Sequence, residues 1–381
     1  MKSRALGLLL VLGLPALLAA APPPPVRFMY LPGIGPTDAS GRVAPGDIRA
    51  QTARVLDNLA ARLAAQGLRL EQVAAMTVYL RHQADFAAMN EVYARYWPKD
   101  PPARTTIVID PVEPDALVEM SLVALPATAD RRVVLPASWA KPSSPYSYGI
   151  QSGDTLFLSG LLSRNGRDNS VVPGDMKAQT GQVLQNAAEV LNAAGMTMGD
   201  VVSARVYLTD TAMFQDMNAT YRGAFPSSPP ARATVRAGLT AAPYLIEITL
   251  LAVRSAGREA ITTPNADGTP GTPSPVLSSA IHAGSQLFLS GMLGATDANR
   301  ENAGAQAREA LVRLGRTLKK AGFSWRDVVD GVVYVPNAGD VPAVMRAWRE
   351  VFDATMPRPS VVPAGLVSPD GLVEIALMAA K

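Results

Sequence analysis

The chain repeats one unit three times. The stretches DIRAQTARVLDNLAARLAAQGLRLEQV from Asp47, DMKAQTGQVLQNAAEVLNAAGMTMGDV from Asp175 and AGAQAREALVRLGRTLKKAGFSWRDV from Ala303 place Gln51, Gln179 and Gln306 128 and 127 residues apart. Solenoid and propeller units recur every ~20–50 residues, so a period this long marks a repeated domain. Three such domains fill the 381 residues, with boundaries at 26–127, 131–254 and 258–381 and short polar joiners, TADRR and RSAGREA.

Each repeated stretch reads as an amphipathic helix. In the second copy Val183, Leu184, Ala187, Ala188 and Leu191 recur at three- and four-residue spacing, and Gly195 supplies a stop. A β-branched run follows (VAAMTVYL, VVSARVYL, VVDGVVYV), then a second helix such as AMFQDMNATYRGAF. Two strands, ARATVRAGL and YLIEITLLAV in the second copy, read as a closing hairpin. Copies two and three also carry DTLFLSG and QLFLSG before the first helix, each after a further strand; copy one begins only at FMYLPG. The pattern predicts an α+β fold with a mixed sheet and both helices on one face.

At 48% hydrophobic and 18% charged residues, each copy can bury a core. The start, MKSRALGLLLVLGLPALLAAAPPPP, has Lys2 and Arg4 ahead of an apolar run that ends in small residues. That is the layout of a secretory leader over residues 1–21, cut near Ala20 or Ala21, and the run is shorter than the ~20 residues a spanning helix needs. The protein is therefore expected to be exported, periplasmic or secreted, with no membrane attachment once the leader is gone. There is no cysteine, which excludes disulfides and thiol catalysis.

Loss of the leader takes the 35 basic residues to 33 against 32 acidic ones, a formal charge of +1 that gives nucleic acid no electrostatic footprint. With only His82 and His282, a histidine metal site within one domain is not expected.

GDTLFLSG, the helix ending in NAAG, DVVSARVYLTD, FQDMNATY, PPARATV and LIEITLLAV stand in order through copy two. Together they resemble the reactive intermediate deaminase family (RidA-like, also called YjgF-like, and labelled L-PSP endoribonuclease). The resemblance implies a chorismate-mutase-like domain that assembles as a trimer with a cleft at each junction. Three fused copies would then form an intramolecular pseudo-threefold ring, a single-chain pseudo-trimer working as a monomer of three domains. It also implies hydrolysis of 2-imino or enamine acids to 2-oxo acids and ammonia, without metal or cofactor.

Arginine suits the carboxylate of such a substrate because its planar fork donates two parallel hydrogen bonds. Arg104 in PPARTTI and Arg232 in PPARATV are the main candidates; Arg358, in MPRPSVV, is placed at the same position as a weaker third. Glu119 and Glu247 follow their arginines by fifteen residues, and Glu374 follows Arg358 by sixteen; each interrupts an apolar strand. A carboxylate buried there needs a partner or a raised pKa, as a water-orienting acid–base group would have.

By the same resemblance Asn90, Asn218, Tyr146, Ser159 and Gly160 are substrate-binding candidates, and Ser290 and Gly291 secondary ones. Copy three aligns Met345 against the Asn, Trp348 against the following Tyr and Val276 against Tyr146; copy one has Pro32 against the Ser. A working cleft would combine one copy's Arg and Asn with the next copy's Tyr, Ser or Glu. Two other functions stand beside the deaminase: a non-catalytic carboxylate-binding or protein-protecting module, and an endoribonuclease, which the charge balance and the histidine count disfavour.

Overall fold

The computed structural model describes residues 28–353 and 357–381. The expected leader lies outside the described residues. Among them, no helix is long and apolar enough to cross a membrane.

Each copy builds one sheet under a pair of helices. In copy two the helices are Met176–Ala193 and Phe214–Ala224, and the core strands are Thr155–Leu158, Ile246–Val253, Val201–Leu208 and Ala231–Arg236, in that spatial order. Val201–Leu208 pairs parallel to Ala231–Arg236 and antiparallel to Ile246–Val253. The expected closing hairpin is therefore absent. The helix after Val201–Leu208 returns the chain to a parallel neighbour, so the last strand can pair only on the far side of Val201–Leu208. Copies one and three repeat this order. Among the described residues the first sheet starts at Met29–Ile34, without the two outer strands that copies two and three add.

The repeated residues have mechanical reasons. Asp47, Asp175 and Asn302 cap the first helices, each accepting the backbone N–H three residues on. Gln51 is buried one turn later. Its carboxamide accepts the Leu117 N–H and donates to the Asp115 carbonyl; Gln179 does the same to Leu245 and Pro243, and Gln306 to Leu372 and Asp370, all at 2.7–3.0 Å. Each glutamine thus staples its helix to the backbone two residues before Glu119, Glu247 or Glu374, fixing the start of that strand.

Both faces of each central strand are covered. In Val201–Leu208, Val201, Ala204, Val206 and Leu208 pack under the helices. Val202 packs with Ile281, Phe288 and Met378 of copy three, and Tyr207 joins Tyr79 of copy one and Tyr334 of copy three. Alternation sends one face to the helices and the other to the neighbouring copies. Each copy touches both others. Val108 and Gly238 exchange backbone hydrogen bonds at 2.8 and 2.9 Å, Gly365–Leu366 adds an edge strand to Ala231–Arg236, and the Gly33 N–H donates to Ser360 Oγ at 3.0 Å.

Where the three sheets meet, a cavity of about 130 Å³ is lined by Tyr30, Thr77, Thr105, Arg205, Asp330 and Ser360 among others. Arg205 pairs with Asp330 at 3.6 Å. Removing one partner of such a pair leaves a poorly solvated charge, which costs more than an exposed bridge but less than a fully buried one when both side chains line a cavity. Asp330→Ala is expected to destabilise the fold by about 1–3 kcal/mol in urea denaturation, with Arg205→Met in the same chain restoring most of the loss.

Candidate active site

At the joint between copies one and two, strand Ala103–Val108 of copy one runs beside Ser147 of copy two through a parallel bridge. The Arg104 N–H donates to Ser159 Oγ at 2.8 Å, and the Ser159 hydroxyl donates to the Ser147 carbonyl at 2.6 Å. The Gly160 N–H donates to the Arg104 carbonyl at 3.1 Å. Both backbone polar groups of Arg104 are thus bonded by copy two. Its guanidinium lies 4.8 Å from the ring centre of Tyr93, 5.7 Å from Phe86 and 5.8 Å from Tyr146.

The joint between copies two and three reproduces this. The Arg232 N–H donates to Ser290 Oγ at 2.7 Å, the Ser290 hydroxyl to the Ser278 carbonyl at 2.5 Å, and the Gly291 N–H to the Arg232 carbonyl at 3.1 Å. The Arg232 guanidinium lies 4.7 Å from Tyr221 and 5.7 Å from Phe214, with Nη1 4.0 Å from Met217 Sδ.

The two arginines are 4% and 3% exposed. Arg104 Nη1 and Arg232 Nε have no hydrogen-bond partner, and among the described residues no carboxylate forms an ion pair with either. Burial holds both guanidinium pKa values below normal. A buried cation without an ion-pair partner is costly unless an anion joins it.

The glutamates come from the opposite side of each joint. Glu247 pairs across its sheet with Tyr207, and Oε1 accepts the Thr106 N–H of copy one at 3.3 Å. Burial pushes its pKa up to about 8, against the lowering pull of that N–H, Arg104 and Arg164. Glu374, opposed by the Thr234 N–H and Arg232, is also pushed up to about 8 by burial. Glu119 is pushed up to about 7, by burial and then by the charge of Glu113. A β-carbon at Gly160 would overlap Glu247 Oε1, and Gly291 and Gly33 stand in the same relation to Glu374 and Glu119. Only glycine lets the carboxyl lie against that backbone.

The structure thus brings Arg104, Tyr146, Gly160 and Glu247 to one joint and Arg232, Gly291 and Glu374 to the next. Asn90 and Asn218 lie one turn before Tyr93 and Tyr221 on the second helices, each with a buried, unpartnered Oδ1. Three expectations need correction. Ser159 and Ser290 have no proton left for a substrate, because their hydroxyls are committed to the arginine backbone and a carbonyl; they hold the joint. Ser278 plays the part of Ser147, so Leu277, not Val276, stands at the place of Tyr146.

Arg358 is not at the arginine position. Val332 pairs with Ser360 as Arg205 pairs with Ala233, so Pro359 takes the place of Arg232, and Arg358, one residue early, is exposed. One step along a strand reverses the face of a side chain. Glu374 lying sixteen rather than fifteen residues after Arg358 was the sign of it. The loss is matched across the joint between copies three and one: Pro359 has no N–H to donate, and Pro32, in the place of Ser159, has no hydroxyl to accept it. Trp348, stacked on Phe352 at 4.2 Å, occupies the place of the tyrosine shelf. Glu119 therefore sits at a joint with no arginine clamp.

Sequence reasoning passed over Tyr93 and Tyr221, which carry the guanidinium groups. Their recurrence three residues after Asn90 and Asn218 was the available signal. It also passed over Arg164, whose guanidinium lies 5.2 Å from the ring of Tyr244.

The family model described as "Endoribonuclease L-PSP" matches residues 25–126, 138–254 and 272–381. The chain belongs to this family, that of the RidA-like proteins. A RutC family protein of Sulfurisphaera tokodaii is 44% identical over 29% of this chain and 89% of its own length. Another, of Saccharolobus solfataricus, is 38% identical over 33% of this chain and 99% of its own. Each relative thus corresponds to one copy. A chorismatase crystal structure, 18% identical with a TM-score of 0.55, covers 81% of this chain and 93% of its own, a likeness of fold across all three copies.

A glutamate with a raised folded pKa keeps its proton where the unfolded chain, at 4.5, has released it. Stability is therefore fullest below pH 4.5 for these groups and falls as pH rises towards about 8. The double variant Glu247→Gln, Glu374→Gln is expected to show a shallower fall of Tm between pH 5 and 8 than the parent, read by calorimetry.

Proposed function

We propose that this protein is a hydrolytic deaminase of reactive 2-imino and enamine carboxylic acids, acting at the joints between copies one and two and between copies two and three. The observation that carries the reading is the pair of deeply buried arginines with no ion-pair partner among the described residues, each facing, across a domain joint, a glutamate whose pKa burial pushes up to about 8. A small carboxylate supplies the missing anion, and Arg104 or Arg232 can hold it through two parallel N–H···O bonds.

The glutamate then handles protons. In its ionised form Glu247 or Glu374 takes a proton from water as the water oxygen bonds to the protonated imine carbon. The resulting acid returns that proton to the nitrogen. The C–N bond breaks as the glutamate, ionised again, takes the carbinol O–H proton and the carbonyl forms, releasing ammonia and the 2-oxo acid. A pKa of about 8 keeps both forms of the carboxyl accessible around neutral pH. The endoribonuclease of the family description has less support, since arginines at 3–4% exposure lie too deep for a phosphate backbone.

The test is a coupled assay in which an amino-acid oxidase generates 2-iminopropanoate or 2-iminobutanoate. Losing a charged, bidentate contact costs about 1.5–3 kcal/mol per bond, so Arg104→Ala with Arg232→Ala should lower kcat/KM by about 100-fold or more. Arg358→Ala should stay within about twofold, as a surface change does. A parent protein no faster than the double variant would overturn the reading.

On the same reading the leader over residues 1–21 carries the domains out of the cytoplasm. N-terminal sequencing of protein from an exporting cell should begin near residue 21 or 22; an intact Met1 would refute export.

A further inference from the structure

The joint between copies one and two carries a second cation. Arg164 stands four residues after Gly160; the matching positions are Thr37 in copy one and Ala295 in copy three. Its guanidinium lies 5.2 Å from the ring of Tyr244, a shelf that copies one and three also lack, with Ala116 and Gly371 in its place. Its Nε is buried with no hydrogen-bond partner, and among the described residues no carboxylate forms an ion pair with it.

The walls around it are built rather than loose. Asn186 Nδ2 donates to the Arg164 carbonyl at 2.8 Å and to the Leu162 carbonyl at 3.2 Å, fixing the backbone that presents the side chain. Trp139 Nε1 donates to Glu189 at 2.6 Å, the Tyr148 hydroxyl donates to Asn169 at 2.6 Å, and Gly166 leaves the room the Trp139 ring requires. A small cavity of about 20 Å³ lies between Trp139, Tyr146, Gly160 and Arg164. A space of that size takes about one or two waters, so it suits a carboxylate and excludes a phenyl or indole ring. It also adjoins the site above: Gly160 seats the Glu247 carboxyl, and Tyr146 lies near the Arg104 guanidinium. Arg104 and Arg164 both act on Glu247 and on Tyr146.

We propose that Arg164 and this pocket form a second anion subsite, making the joint between copies one and two selective for imino and oxo acids that carry a second carboxylate. One carboxylate is held by Arg104, the other by Arg164, and the reacting carbon lies between them beside Glu247. The joint between copies two and three, with Ala295 in the matching place, takes monocarboxylates without preference. The inference rests on the deaminase reading for the word substrate, but the subsite can be tested by binding alone.

Calorimetric titration of the full protein with 2-oxoglutarate, oxaloacetate and 2-oxobutanoate should show one class of site that binds a dicarboxylate at least about tenfold more tightly than the monocarboxylate, the effect expected of one added charge-assisted pair. Arg164→Gln should abolish that preference; Arg164→Lys, which keeps the charge and serves as the folding control, should retain part of it. Equal affinities in the parent protein, or a preference that survives in Arg164→Gln, would overturn the proposal. Dicarboxylate preference without turnover would refute the deaminase reading and keep the subsite. Turnover without preference would do the reverse.

Discussion

The site depends on one arrangement: an arginine whose backbone N–H and carbonyl are both bonded by the next copy. Because Ser159 and Gly160 hold Arg104, and Ser290 and Gly291 hold Arg232, docking two copies and burying the arginine are one event. With its main chain anchored on the neighbour, the side chain turns back under its own second helix, onto Tyr93 or Tyr221. The glutamate arrives from the neighbour, lying against a glycine whose lack of a β-carbon leaves room for the carboxyl. Arg104 and Glu247 come from different copies, as do Arg232 and Glu374, so each pair exists only at a joint.

Fusion lets the joints diverge. In an assembly of identical subunits every joint would carry the same residues; here one has Arg104, Tyr146 and Arg164, the next has Arg232 with Leu277 and Ala295, and the last has proline on both sides. The exchange of Arg and Ser for Pro359 and Pro32 is coherent, since it removes a donor and its acceptor together and leaves neither unsatisfied. The central cavity shows the same freedom. Arg205 meets Asp330 there as a single ion pair, whereas three identical copies would bring three like charges to one place.

Much of the frame was legible in the residues. The 127- to 128-residue period exposes three domains, and the capped amphipathic helices and β-branched strands follow from local spacing. Arg104 and Arg232 stand out because PPAR recurs at the same place in two copies, and Glu119 and Glu247 because each interrupts an apolar strand. The recurrent glutamines were visible only as a pattern; their work, bridging a helix to a strand about 64–66 residues on, requires the folded chain. The supposed closing hairpin shows the limit of adjacency: the last two strands flank a third, because a parallel crossover had already taken the nearer edge.

What the sequence determined by itself was whatever repeats: the number of domains, their α+β class, and the residue types that can bind a carboxylate and move a proton. Tertiary structure alone decided which of those residues meet. Strand register turned Arg358 outward through a one-residue difference. Contacts between copies spent the serine hydroxyls on the joint and set Arg104 with Glu247 rather than with Glu119 of its own copy. They also made Arg164, an inconspicuous loop residue in the linear chain, a cation on an aromatic shelf. The physical reason is that charge, burial and hydrogen-bond supply at each joint are set by residues some 55–141 positions apart, and a linear pattern carries no record of that distance.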